Sequence, residues 1–222
     1  MSVRRILAVA LSLAPLAACN PPAGAPPPLS DRGALAFLAE GDTTVVDEYS
    51  RSAERLDGVV RILSREPGGS IVRAAYGVEY DGRGRAASAH LTIQQLSSGG
   101  IALPEQREWS VTFDPDGRAT EVESGGRRVE VRAGDGVVPL FGPSIAMMES
   151  VLLRARSTGA TRIPVFHIAA AGRVDTVAIA WTGADSATVT IAGATARYHL
   201  DPAGRILGGR AQAERLETVR ID

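Results

Sequence analysis

Hydrophobic and polar residues alternate through most of the chain after residue 34. Ala87, Ala89, Leu91 and Ile93 share one side of a stretch whose other side is Ser88, His90, Thr92 and Gln94. Trp109, Val111 and Phe113 alternate against Glu108, Ser110 and Thr112, and Val129 and Val131 against Arg128, Glu130 and Arg132. Val177, Ile179 and Trp181 repeat the pattern against Ala178, Ala180 and Thr182. A period of two with one wet face marks antiparallel sheet. Further β-branched runs at 35–37, 43–51, 59–63, 71–80, 163–168, 187–191 and 196–200 read as strands, and the end of 211–222 as the last one.

The turns share a device. Phe113-Asp-Pro-Asp-Gly-Arg118 and Leu200-Asp-Pro-Ala-Gly-Arg205 match closely, and Tyr80-Asp-Gly-Arg-Gly-Arg85 is a looser version. Proline presets φ, aspartate accepts from the backbone that follows, and glycine supplies positive φ where the hairpin closes. Asp114-x-Asp116-Gly117 lacks the further acidic ligands of a calcium loop and reads as a turn.

One segment has a helical period. Ser144 is placed as an N-cap and Gly159 as the residue that ends the helix. Between them Ile145, Met148, Val151, Leu152 and Ala155 form one stripe. The predicted architecture is mainly β: a curved antiparallel sheet or half-barrel of about ten or more strands, with one packed α-helix over about 144–158.

The first residues carry a different pattern. Arg4 and Arg5 precede an apolar run from Ile6 to Ala18, shorter than a membrane span, and small residues end it. Leu16-Ala17-Ala18-Cys19 resembles a bacterial lipobox. That resemblance implies cleavage before Cys19 and acyl chains on its sulfur, which hold the protein to a membrane. It divides the chain into a signal peptide (1–18), a lipidated N-terminus with a proline-rich tether (19–33) and one β-rich domain (34–222). Asn20-Pro-Pro-Ala-Gly-Ala-Pro-Pro-Pro-Leu-Ser30 favours polyproline II, with a reach of roughly 30 Å. By similarity to lipoprotein sorting, Asn20 in place of Asp implies the outer membrane, facing the periplasm.

Composition narrows the chemistry. With 24 basic and 25 acidic residues the net charge is −1, so no field favours nucleic acid. Every basic residue is arginine or histidine, which excludes a Schiff-base or Walker lysine. With Cys19 acylated, no thiol remains for catalysis, disulfides or metal. His90, His167 and His199 lack metal-ligand spacing, and Ser144 lacks a Gly-x-Ser-x-Gly elbow. Glu121, Glu123 and Glu130 lie among arginines on strands and read as solvated or cross-strand pairs. No catalytic residue, cofactor or metal is expected.

The strand–helix–strand order is similar to the half-barrel of lipoprotein carriers of the LolA/LolB kind. The resemblance implies an apolar cavity between sheet and helix that takes lipid or a similar ligand. The residues expected to line it are Trp109, Phe113, Met148, Leu152, Ile179 and Trp181. The competing expectation is a scaffold lipoprotein that binds another envelope protein. A carrier requires an open concavity; a scaffold has a filled one.

Overall fold

The computed structural model describes residues 30–66, 68–211 and 215–222. The leader, Cys19 and the proline-rich stretch up to residue 29 lie outside them. Eight strands form the first half: β1 (Ser30–Ala39), β2 (Asp42–Ser52), β3 (Arg55–Ile62), β4 (Ile71–Tyr80), β5 (Ala86–Leu96), β6 (Ala102–Phe113), β7 (Arg118–Glu123) and β8 (Arg128–Arg132). A short β9 (Val138–Leu140) leads into α1 (Ile145–Thr158). Six strands complete the chain: β10 (Arg162–His167), β11 (Val174–Trp181), β12 (Ser186–Ile191), β13 (Ala194–Leu200), β14 (Ile206–Ala211) and β15 (Leu216–Arg220).

All fifteen strands belong to one sheet, in the order β8-β7-β6-β5-β4-β3-β2-β1-β15-β14-β13-β12-β11-β10-β9. Each half is a meander of antiparallel hairpins. The halves join where β1 pairs with β15, from Leu35 opposite Arg220 to Ala39 opposite Leu216. Among the described residues only β9 runs parallel to its neighbour, β10. The sheet curves strongly, but β8 and β9 are its two ends and no ladder closes it among the described residues. The mainly-β, curved-sheet expectation therefore holds.

The turn device forms as the sequence implies. Asp81, Asp114 and Asp201 donate their N–H groups to the carbonyls of Arg85, Arg118 and Arg205 at 2.8, 2.9 and 2.9 Å. Gly117 and Gly204 take φ of 83° and 89°, in the left-handed region that a β-branched residue resists.

Two strands and one side chain differ from expectation. β1 already begins at Ser30, so residues 30–33 belong to the sheet and not to the tether. Their alternation is obscured by Gly33, over which the ring of Tyr49 lies; an added Cβ would sit 2.8 Å from it. β9, three residues long, is too short to show a period. Glu121, expected on a wet face, is buried. Its carboxylate accepts the N–H groups of Ala169 and Gly172 at 2.8 and 2.9 Å, tying the β10–β11 turn to β7 across the gap in the sheet.

α1 lies on the concave side, capped as predicted. Ser144 Oγ accepts from Met147 N–H at 3.1 Å, and Gly159 takes φ of 67°. The helix packs on β9, β10, β11 and β2. The buried set is Ile145, Ala146, Met147, Glu149, Val151, Leu152 and Ala155. Met147 thus replaces Met148 in the interior, Met148 being only partly buried against it, and a carboxylate shares the inward face. The stripe is wider than expected because sheet wraps the helix on more than one side.

Candidate functional site

Two acidic residues lie at zero exposure beneath α1: Asp47 on β2 and Glu149 in the helix itself. Inward-pointing positions of β2 place Asp47, Tyr49 and Arg51 in a row. Asp47 acts at the helix N-terminus. Its Oδ2 accepts from Ser144 Oγ at 2.9 Å and from Ala146 N–H at 2.8 Å. Its Oδ1 accepts from the Tyr76 hydroxyl at 2.8 Å. Tyr76 reaches it by lying across Gly58, directly opposite on β3, where a Cβ would come within 2.2 Å of the ring. Burial pushes the Asp47 carboxyl above its ordinary 3.8, and the donors from Ala146, Tyr76 and Ser144 offset only part of that.

Glu149 is held by four donors. Its Oε1 accepts from Arg51 Nη1 at 2.6 Å and the Tyr49 hydroxyl at 3.1 Å. Its Oε2 accepts from Ile206 N–H at 2.5 Å and Arg220 Nη2 at 2.9 Å. These partners come from β2, β14 and β15, so one helical carboxylate spans the seam where the first strand meets the last. Arg51 also donates to the Ala146 carbonyl at 3.0 Å and Arg220 to the Tyr49 hydroxyl at 3.0 Å. Burial works against the Arg51 charge, and Glu149 more than offsets it, so its pKa is raised. Burial, reinforced by Glu149, pushes the Tyr49 phenol well above 10.0.

Both carboxylates are enclosed and their lone pairs are occupied. In this arrangement they hold the helix rather than present an acid or base to a substrate. Sequence reading missed them because Glu149 follows apolar residues as an ordinary helix former. A detectable signal was present: Asp47, Tyr49 and Arg51 occupy alternate positions of a strand whose opposite positions carry Val46, Glu48 and Ser50.

The six residues expected to line a cavity converge on one side of the sheet. Trp109, Phe113, Leu152 and Ile179 are buried in a single core, with Met148 and Trp181 packed against it. Phe113 meets Phe166 edge to face, with centroids 5.7 Å apart. Arg107 stacks over Trp109 and Arg156 over Trp181, at 4.9 and 5.4 Å. Four of the clefts among the described residues bear on these positions or on the charged surface. Phe113 borders one of about 130 Å³ with the Asp81 and Asp114 turns, and Trp109 one of about 180 Å³ with Arg107, Glu121 and Arg127. Two wider ones, each of about 410 Å³, are lined mostly by charged surface residues. Met148, Leu152, Ile179 and Trp181 border none of the four.

The histidines stay apart. His90 is exposed. His199 Nδ1 lies 3.3 Å from Ser186 Oγ, but Asp185 contacts that serine and not the ring. His167 Nε2 lies 3.0 Å from Asp175 Oδ2 without hydrogen-bond alignment. Burial lowers the pKa of this imidazole, against the pull of Asp175. Among the described residues no three His, Cys, Asp or Glu side chains are grouped to hold a metal.

No family model matches the chain. No curated protein matches it either. Among solved structures it is similar to a DUF1089 family protein from Pseudomonas aeruginosa, with a TM-score of 0.53 and 15% identity, over 75% of this chain and 89% of that one. It is also similar to a β-barrel-like protein of the domain of unknown function DUF1849 from Brucella abortus, with a TM-score of 0.55 and 13% identity, over 88% of this chain and 96% of that one. At such identities the likeness is one of fold: this chain has a β-barrel-like architecture shared with domains of unknown function.

Proposed function

We propose that this is a lipid-anchored protein of the cell envelope whose β domain serves as a non-catalytic scaffold for another envelope protein. The observation that carries the scaffold reading is the fastening of α1. The helix occupies the concave side, and Glu149 binds it to Arg51, Arg220 and the Ile206 backbone. A lipid carrier would have to vacate that space. Parting Glu149 from two buried arginines exposes or strands three charges, a cost of several kcal/mol per ion in a low-dielectric interior. Anchoring rests on Leu16-Ala17-Ala18-Cys19, and the outer membrane on Asn20.

Two measurements test the reading. Titration with an apolar fluorophore, monitored by quenching of Trp109 and Trp181, should show no saturable binding. Saturable binding weakened by Ile179→Arg, in a variant that still folds, would replace the scaffold with a carrier. For the anchor, detergent partitioning of cell fractions should place the wild type with membranes and leave Cys19→Ser unacylated. A wild type that is freely soluble after export would remove the lipid from the proposal.

A further inference from the structure

We infer that the protein self-associates through β8, two copies adding strand to strand in antiparallel fashion. β8 pairs with β7 on one side and ends the sheet on the other. Ala133 donates its N–H to Gly117, which fixes the parity: Val129 and Val131 turn their backbone groups toward β7. The N–H and C=O groups of Arg128, Glu130 and Arg132 therefore point outward, a template for another strand that is unpaired among the described residues. β9, the other end of the sheet, is only three residues long and carries Pro139, and residues 102–107 of β6, beyond the reach of β7, are guarded differently. There the register slips around Pro104, and proline and bulges blunt an edge. β8 has neither.

The sequence of β8 identifies the occupant. Arg128-Val-Glu-Val-Arg132 places one exposed carboxylate, already ion-paired through one oxygen with Arg118 of β7 at 2.5 Å, between two exposed guanidinium groups. Pairing centred on Glu130 would set arginine against arginine and glutamate against glutamate. A shift of two residues either way sets Glu130 of each copy opposite Arg128 or Arg132 of the other, giving two opposite-charge cross-strand pairs by symmetry. Opposite charges directly across two strands favour pairing, and like charges directly opposite destabilise it. The shift preserves the hydrogen-bonding parity, because all three residues face outward. Val129 and Val131 stay inside, packed against Gly172 of their own domain. A second copy of this chain thus satisfies both the backbone and the charge pattern, and the interface is isologous. The inference does not depend on acylation at Cys19.

The test is charge reversal with rescue, on the full-length protein in mild detergent, followed by sedimentation velocity over a concentration series. The wild type should show a concentration-dependent dimer. Glu130→Arg should raise its dissociation constant about tenfold or more, and the double variant Arg128→Glu, Arg132→Glu should do the same. Mixing these two variants should restore a heterodimer, which a merely structural role of either side chain would not produce. Glu130→Pro, which removes an outward N–H without touching the β7 ladder, should also abolish association while circular dichroism stays unchanged. A wild type that remains monomeric, or a dimer indifferent to all three variants, overturns the inference. So does a mixture that fails to associate when both variants are folded.

Discussion

The two flanks of α1 meet the same sheet with opposite chemistry. Toward β9, β10 and β11 the contacts are aliphatic and aromatic: Ile145, Val151, Leu152 and Ala155 join Val165, Phe166 and Val177 in one core. Toward β2, β14 and β15 they are ionic: Glu149 against Arg51, Tyr49, Arg220 and the Ile206 N–H. Apolar contact is non-directional, so the first flank supplies adhesion but tolerates sliding and rotation. Four directed hydrogen bonds to one carboxylate do not. Adhesion on one side and registration on the other together fix the helix in a single pose. The ionic flank also sits at the β1–β15 seam, where residues nearly two hundred positions apart must find each other.

This contrast can be broken most severely at Glu149. Glu149→Ala leaves Arg51 and Arg220 buried without their partner and should cost about 3–5 kcal/mol in urea unfolding. Replacing Glu149, Arg51 and Arg220 together by apolar residues of similar volume should recover most of that loss. If the triple variant is as unstable as the single one, the flank supplies adhesion and not only register. On the apolar flank, Leu152→Ala should cost about 3 kcal/mol, and no second substitution among the charged residues should rescue it. A Leu152→Ala variant of wild-type stability would mean the helix hangs on its ionic side alone.

Smaller effects sharpen the picture at the helix N-terminus. Gly58→Val should cost about 1–3 kcal/mol, because its side chain would collide with the buried Tyr76 ring and pull the phenol from Asp47. Near-UV circular dichroism should report the displaced tyrosine. The least change is expected for Asp47→Asn, read as a pH dependence. Because burial raises the folded-state pKa of Asp47 above 3.8, the folded protein holds that proton more tightly than the unfolded chain. Its contribution is therefore full below about pH 4 and is lost as pH rises through the folded value. Wild-type stability should fall relative to Asp47→Asn over that interval. Parallel pH curves for the two would place Asp47 at an ordinary carboxylate pKa.

Much of the fold was legible because it depends on local periods. β4 matches the run expected at 71–80, β5 covers the alternating stretch that follows it, and α1 lies between the Ser144 cap and Gly159. The Asp-Pro-x-Gly turns fixed hairpin closure through the φ that glycine allows. What escaped were features with long-range causes. Residues 30–33 join the sheet because β2 pairs with them, and β9 exists because β10 does. Met147 is interior and Met148 is not, because the position of the sheet around the helix decides which face is covered. Glu121 and Glu149 are buried because backbone N–H groups and arginines from remote segments surround them. A residue's polarity and spacing set its intrinsic preference and the local hydrogen bonds it can make. Whether a charge is solvated or enclosed depends on which remote groups the topology brings within about 3 Å, and that is information no local period carries. By itself, then, the sequence determined a β-rich chain with one capped helix; the tertiary structure decided that its carboxylates would lock that helix inside the curve of the sheet.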